Sequence, residues 1–93
     1  MPYKLIYHRK VKKNDLSKID KKDKFMIKRA IEERLAKKPE FYGRPLRRTL
    51  KGYWKLRVGE YRVVYKTLGD EIRIFAIRHR KEVYQIVKKR IDT

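Results

Sequence analysis

The sequence predicts an α+β fold: a small, curled, mostly antiparallel four-stranded sheet in the order β-α-α-β-β-β-α, with a helical hairpin on one face and a C-terminal helix. Three observations carry this expectation. Apolar residues recur at helical spacing from Ile27 to Leu35. They alternate with polar ones at period two on either side of Gly59. An apolar run from Ile72 to Ile77 then precedes an amphipathic stretch that ends at Ile91.

In chain order, Tyr3 to His8 alternates Tyr3, Leu5 and Tyr7 against Lys4, Ile6 and His8, as a strand does. Arg9 to Ile19 reads as a short helix with Val11 and Leu16 inward. Asp20 suits the N-cap of a longer helix, and Asp23 in the first turn suits its dipole. Ile27, Ala30, Ile31 and Leu35 form that helix's apolar stripe, and Pro39 is expected to end it. Glu40 to Gly52 reads as a loop holding Arg44, Arg47, Arg48 and Lys51.

The stretch "GYWKLRVGEYRVVY", Gly52 to Tyr65, is a hairpin about Val58-Gly59-Glu60-Tyr61, with Gly where a type II′ turn wants it. Counting back from the turn pairs Val58 with Tyr61, Arg57 with Arg62, Leu56 with Val63 and Lys55 with Val64. One face then carries Trp54, Leu56, Val58, Tyr61, Val63 and Tyr65, a core surface. The other carries Tyr53, Lys55, Arg57, Arg62, Val64 and Lys66. Arg57 opposite Arg62 is a destabilising like-charge pair, which points to a negative partner. A turn at Leu68-Gly69-Asp70 leads into the central strand, and Arg80 to Ile91 forms the last helix with Val83 and Val87 on one side. A short hinge makes that helix the element most ready to shift on binding.

The 93 residues are expected to form one domain. Lys and Arg number 29 against 11 Asp and Glu, a net charge of +18 that favours polyanions as partners. At 41% hydrophobic residues the chain is apolar enough to fold. It has no cysteine, which removes disulfides, thiolate metal sites and a cysteine nucleophile. No apolar stretch approaches a membrane span and MPYKLIYHRK has no signal-like apolar region, so a cytoplasmic location is expected.

Lys55, Arg57, Arg62, Arg78, His79, Arg80 and Tyr84 are expected to meet near one rim, with Glu60 and Glu82 the carboxylates in view. No acidic or histidine cluster and no Gly-rich phosphate loop accompanies them, so neither a metal-dependent nuclease nor a nucleotide hydrolase is expected, and no cofactor. RNA carries its own nucleophile in the 2′-hydroxyl. Its cleavage needs a base, an acid and cations for the crowded phosphorane, and arginine forks supply the cations. A lysine crowded by like charges gives up its proton more readily, which makes Lys55 a candidate base; Tyr84 is a candidate acid or a platform for a base. Arg44, Arg47, Arg48 and Lys51 suit backbone phosphates.

"GRPLRRTLKGYWKLRVGEYRVVY" followed by "IRHRKEVY" resembles the RelE/ParE superfamily of type II toxin–antitoxin toxins, in its RelE branch. The resemblance spans nearly the whole chain. It implies a toxin that enters the ribosomal A site, against rRNA, and cuts mRNA there without a metal, inhibiting translation until a cognate antitoxin neutralises it. It also implies catalytic roles at four positions. Arg62 would hold the scissile phosphate and Arg78 the leaving side; Lys55 would assist proton transfer, and Tyr84 would stack on the substrate. Arg57, Lys51, Arg47, Arg48, His79 and Arg80 are the accompanying substrate contacts. Where family members carry a second lysine two residues before Lys55, this chain has Tyr53; Arg57 or Lys51 can replace that cation. The ParE branch, which poisons DNA gyrase without chemistry, and a plain nucleic-acid-binding module are the alternatives. The charge of +18 further implies an acidic antitoxin with an amphipathic segment.

Overall fold

The computed structural model describes residues 3–91. Strand β1 (Lys4–Tyr7) is followed by a π-helical turn (Val11–Asp15), a 3₁₀ turn (Leu16–Lys18) and helix α1 (Lys21–Ala30). A second π-helical turn (Ile31–Leu35) prolongs α1 before the short helix α2 (Pro39–Tyr42) and strand β2 (Arg44–Pro45). A 3₁₀ turn (Arg48–Leu50) leads to β3 (Trp54–Val58), β4 (Tyr61–Leu68), β5 (Glu71–His79) and helix α3 (Val83–Ile91). The strands lie in the order β1-β5-β4-β3-β2. β1 runs parallel to β5, and every other pairing is antiparallel.

The sheet therefore has five strands where the sequence predicts four. The addition is β2, which lies within the predicted loop and pairs Arg44 with Lys55 and Pro45 with Trp54. Two residues carry no periodicity, and Pro45 has no N–H to give a ladder, so it suits an outer strand. Helix α1 also stops earlier than expected. Its N-cap is Asp20, whose side chain accepts from the Asp23 N–H at 2.8 Å. A residue before proline is disfavoured in the α conformation, and Lys38 leaves it at φ −142°. Pro39 thus opens α2 instead of closing α1.

The β3–β4 hairpin keeps the expected register, Val58 on Tyr61 through Trp54 on Tyr65. Gly59 has φ +57°, the left-handed value a type II′ turn needs at that position. Between β4 and β5 the register slips. Val64 faces Ala76 while Tyr65 faces Ile74, so Phe75 is an extra residue. Strict alternation would put Arg78 on the face of Ile72 and Ile74. The bulge turns it to the opposite face, beside Arg62.

Two apolar layers follow. On one face α1 and the first π turn cover Leu56, Val63, Tyr65, Ile72, Ile74 and Ile77, with Ile27, Ala30, Ile31 and Leu35 directed inward as the helical stripe predicts. On the other, Val83 and Val87 of α3 seal Val64 and Ala76 together with Leu50. Val64, counted on the polar face of the hairpin, is thus fully buried, because α3 covers that part of the face.

The far end of α3 is held by an ion pair. β1 stops at Tyr7 against Ile74, and past that point Asp15 takes over the edge of β5, accepting from the Ile77 N–H at 2.9 Å. Arg90 of α3 meets both oxygens of Asp15, at 2.6 and 2.8 Å, and donates to the Phe75 carbonyl at 2.7 Å. Asp15 is wholly buried, so the helix expected to move is pinned to the sheet at its C-terminal end.

Candidate nucleic-acid interface

β2 covers only the first two residues of β3, and the sheet beyond it opens into a cleft of about 660 Å³. Arg34, Arg44, Arg47, Lys55, Arg57 and Arg62 line it, with Tyr42, Pro45, Leu46 and Leu56 between them. Among the described residues, no carboxylate lines this cleft. The hairpin register explains how the central cations arrive there: Arg57 pairs with Arg62, and Arg62 in turn with Arg78. Paired Cα atoms in antiparallel strands stand about 5 Å apart, so the three arginines form a row across the sheet.

Arg62 folds back on its own turn, donating to the carbonyls of Gly59 at 3.0 Å and Tyr61 at 2.9 Å. This holds the guanidinium at the closed end of the hairpin. The Lys55 ammonium lies 5.9 Å from the Tyr84 ring centroid, which joins the first turn of α3 to the strand. Tyr84 packs beside the apolar layer under α3 and is half-exposed.

Arg78 is placed differently from its neighbours. Its guanidinium meets Glu82 at 2.7 Å and Asp15 at 3.2 Å, and its side chain is only 12% exposed. Burial works against its charge, but the hydrogen bonds it donates to Glu82 and Asp15, together with their negative charges, outweigh burial and raise its pKa. Asp15 is the acidic group that the sequence reading did not see.

Neither Arg78 nor Tyr84 lines the cleft, and of the remaining expected contacts Arg80, His79, Arg48 and Lys51 fall outside it too. Arg80 bridges to Glu60 at 2.7 Å, both well exposed. His79 pairs with Tyr61 on the helical side, rings 6.0 Å apart, and accepts from the Lys81 N–H at 3.2 Å. Arg48 and Lys51 sit exposed on the 3₁₀ turn and do not line the cleft. Arg47 does, and it is joined by Arg34 and Tyr42, which sequence reasoning missed. No periodic signal marks either, since Arg34 lies in the last turn of the prolonged helix, off its apolar stripe, and Tyr42 ends a helix of four residues. Tyr53 stands edge-on to Phe75 at 5.0 Å, with the Lys66 ammonium 5.2 Å from its ring. Among the described residues, no three His, Asp or Glu side chains gather as a metal site. No helix among them is long and apolar enough to cross a membrane.

Comparison with known families and structures gives a consistent result. The family described as ParE toxin of type II toxin-antitoxin system, parDE, matches residues 5–84. Among solved structures, the toxin–antitoxin complex RelBE2 from Mycobacterium tuberculosis is similar at 27% identity, covering 86% of this chain and 100% of that one, with a TM-score of 0.79. A double mutant of the Escherichia coli toxin RelE in the free state covers 98% of this chain and 99% of its own, at 22% identity and a TM-score of 0.76. The RelB–RelE antitoxin–toxin complex from Methanococcus jannaschii shares 24% identity over 86% of this chain and 95% of that one, with a TM-score of 0.67. No curated protein matches.

Proposed function

The chain belongs to the ParE toxin family of type II toxin–antitoxin systems, and from that premise we propose that it cuts mRNA in the ribosomal A site by metal-independent attack of a 2′-hydroxyl. The observation that carries this reading is the cleft that, among the described residues, gathers six cations and no carboxylate, with Arg57 directly opposite Arg62. Two arginines paired across a hairpin are matched by a phosphodiester, whose non-bridging oxygens can accept from both once Arg62 turns from its own carbonyls.

In the proposed reaction the 2′-oxygen forms a bond to phosphorus as the bond to the 5′-oxygen breaks, and the 5′-oxygen takes a proton from solvent water, leaving a cyclic phosphate and a free 5′-hydroxyl. Arg62 and Arg57 stabilise the phosphorane. Lys55 takes or shares the 2′-hydroxyl proton, and Tyr84 beside it orients the nucleotide by stacking. Arg78 steadies the leaving side by exchanging Glu82 for the departing oxygen. Arg34, Arg44 and Arg47 hold flanking phosphates, as charge contacts that carry no sequence information. Arg48, Lys51, His79 and Arg80, outside the cleft, are available to rRNA. The toxin acts in the cytoplasm, and a cognate acidic antitoxin covers the cleft; the RelBE structures with the same fold are toxin–antitoxin complexes, which supports a partner of that kind.

The test is 5′-end mapping of an mRNA translated on purified ribosomes. Wild type is expected to cut within the A-site codon, and Arg62→Ala to lose about 10²–10³ in rate, the usual effect of removing one transition-state donor. The description of the matching family as ParE favours a second reading, non-enzymatic inhibition of DNA gyrase. Intact mRNA together with accumulated gyrase–DNA cleavage complexes would establish that reading instead.

A further inference from the structure

Of the exposed large apolar side chains among the described residues, Phe41 is the most exposed at 75%, and its neighbour Tyr42 is 43% exposed. Neither belongs to an apolar layer of the fold. Their rings meet edge to face, with centroids 4.9 Å apart at 84°. The Lys38 ammonium stands 5.8 Å from the centre of Phe41. The pair is therefore organised by itself, at the lip of the cleft that Tyr42 helps to line.

The pair is also fixed in place. Tyr65, fully buried, donates its hydroxyl to the Pro39 carbonyl at 2.7 Å, and the Gly43 N–H donates to the same carbonyl at 3.1 Å. Gly43 lies so close to Tyr65 that an added Cβ would overlap the hydroxyl and come within 2.8 Å of Cζ. The backbone on either side of the aromatic pair is thus clamped to the core. An exposed ring held rigidly beside cations has the form of a stacking platform, because it orders no side chain on binding and every base presents a π-face.

We infer that Tyr42, braced edge-on by Phe41, stacks on an unpaired base of the RNA strand whose phosphates the cleft arginines hold. This rests on the reading of the cleft as an RNA site. The strand must be single, since a duplex keeps its base faces covered. An acidic peptide would satisfy the cations through its carboxylates and could reach the ring only with an apolar side chain, so loss of antitoxin binding without loss of RNA affinity is the outcome that separates the two.

The experiment is a fluorescence titration at low salt with two 2′-O-methyl octamers, which cannot be cut. One has adenine and 2-aminopurine bases; the other has the same phosphates and no bases. For wild type, binding of the first strand should quench its 2-aminopurine emission. Tyr42→Ala is expected to weaken binding of the base-bearing strand by about 5- to 150-fold and remove the quench. Its binding of the abasic strand should change less than about twofold. Tyr42→Phe should behave as wild type, and Phe41→Ala should shift binding in the same direction as Tyr42→Ala but less. Equal loss on both strands, no loss on either, or no binding by wild type would overturn the inference. So would a Tyr42→Ala protein that keeps its RNA affinity and fails to hold its antitoxin. Ribosomal cleavage is read separately. Cut mRNA with base-independent binding would remove the platform and leave the activity; uncut mRNA with base-dependent binding would do the reverse.

Discussion

Replacing Asp15 by alanine tests whether the buried ion pair holds the fold together as its geometry requires. Asp15 is wholly buried, and its carboxylate receives Arg90 twice, Arg78 once and the Ile77 N–H. Its removal strips a guanidinium that is 4% exposed of its carboxylate. Breaking a buried pair from one side costs about 3–5 kcal/mol. The Ile77 amide loses its acceptor as well, adding roughly 1 kcal/mol. Against a total stability of about 5–15 kcal/mol, the expected loss of about 4–6 kcal/mol lowers Tm by upwards of ~15 °C. The assay is a urea and thermal melt of wild type, Asp15→Ala, Arg90→Met and the double variant Asp15→Leu/Arg90→Met. The double variant should lose much less than the sum of the singles, because neither charge is then stranded. An Asp15→Ala protein within about 1 kcal/mol of wild type, or additive losses in the double variant, would refute the argument.

Two further outcomes follow from local geometry. Gly43→Ala should be strongly destabilising in melts, and Tyr65→Phe on top of it should restore only part of the loss, since the added Cβ clears the hydroxyl but still lies 2.8 Å from Cζ. His8 accepts from the Lys10 N–H, and its pKa is lowered by burial and then by Arg90, Lys10 and Arg9, against the opposing pull of Asp15. The unfolded chain therefore binds the extra proton more readily. Stability from neutral His8 is present above its ordinary value of 6.5 and is lost as pH falls below it, so the Tm difference between wild type and His8→Gln should shrink between pH 7.5 and pH 5.

The hairpin was legible to the residue, because a glycine at a required positive φ fixes the turn and period two fixes everything counted from it. The helical stripe at Ile27, Ala30, Ile31 and Leu35 was legible for the same kind of reason. Asp15 was not. In "VKKNDL" it looks like a solvated charge, and its burial depends on β1 ending before β5 does, which no local pattern records. Of the candidate site, Lys55, Arg57 and Arg62 follow from strand parity, and Arg44 and Arg47 from a basic run. Arg34 and Tyr42 reach the same cleft through the path of the chain around β2, a strand of two residues. Arg78 was placed by its position at the strand end, but the partners that neutralise it come from 63 residues upstream and four downstream.

The extra residue at Phe75 makes β5 a strand read in two frames. Upstream of it, even-numbered positions face α1; downstream, the odd-numbered Ile77 does, and Arg78 joins Arg62. What is constrained here is a count and not a composition. Another side chain at position 75 leaves the frame intact, whereas deleting one residue there would send Arg78 toward the apolar layer and Ile77 toward the basic row. The ordering of charges across this surface is therefore protected against substitution and exposed to a single-codon deletion, at a position that lines no part of the cleft.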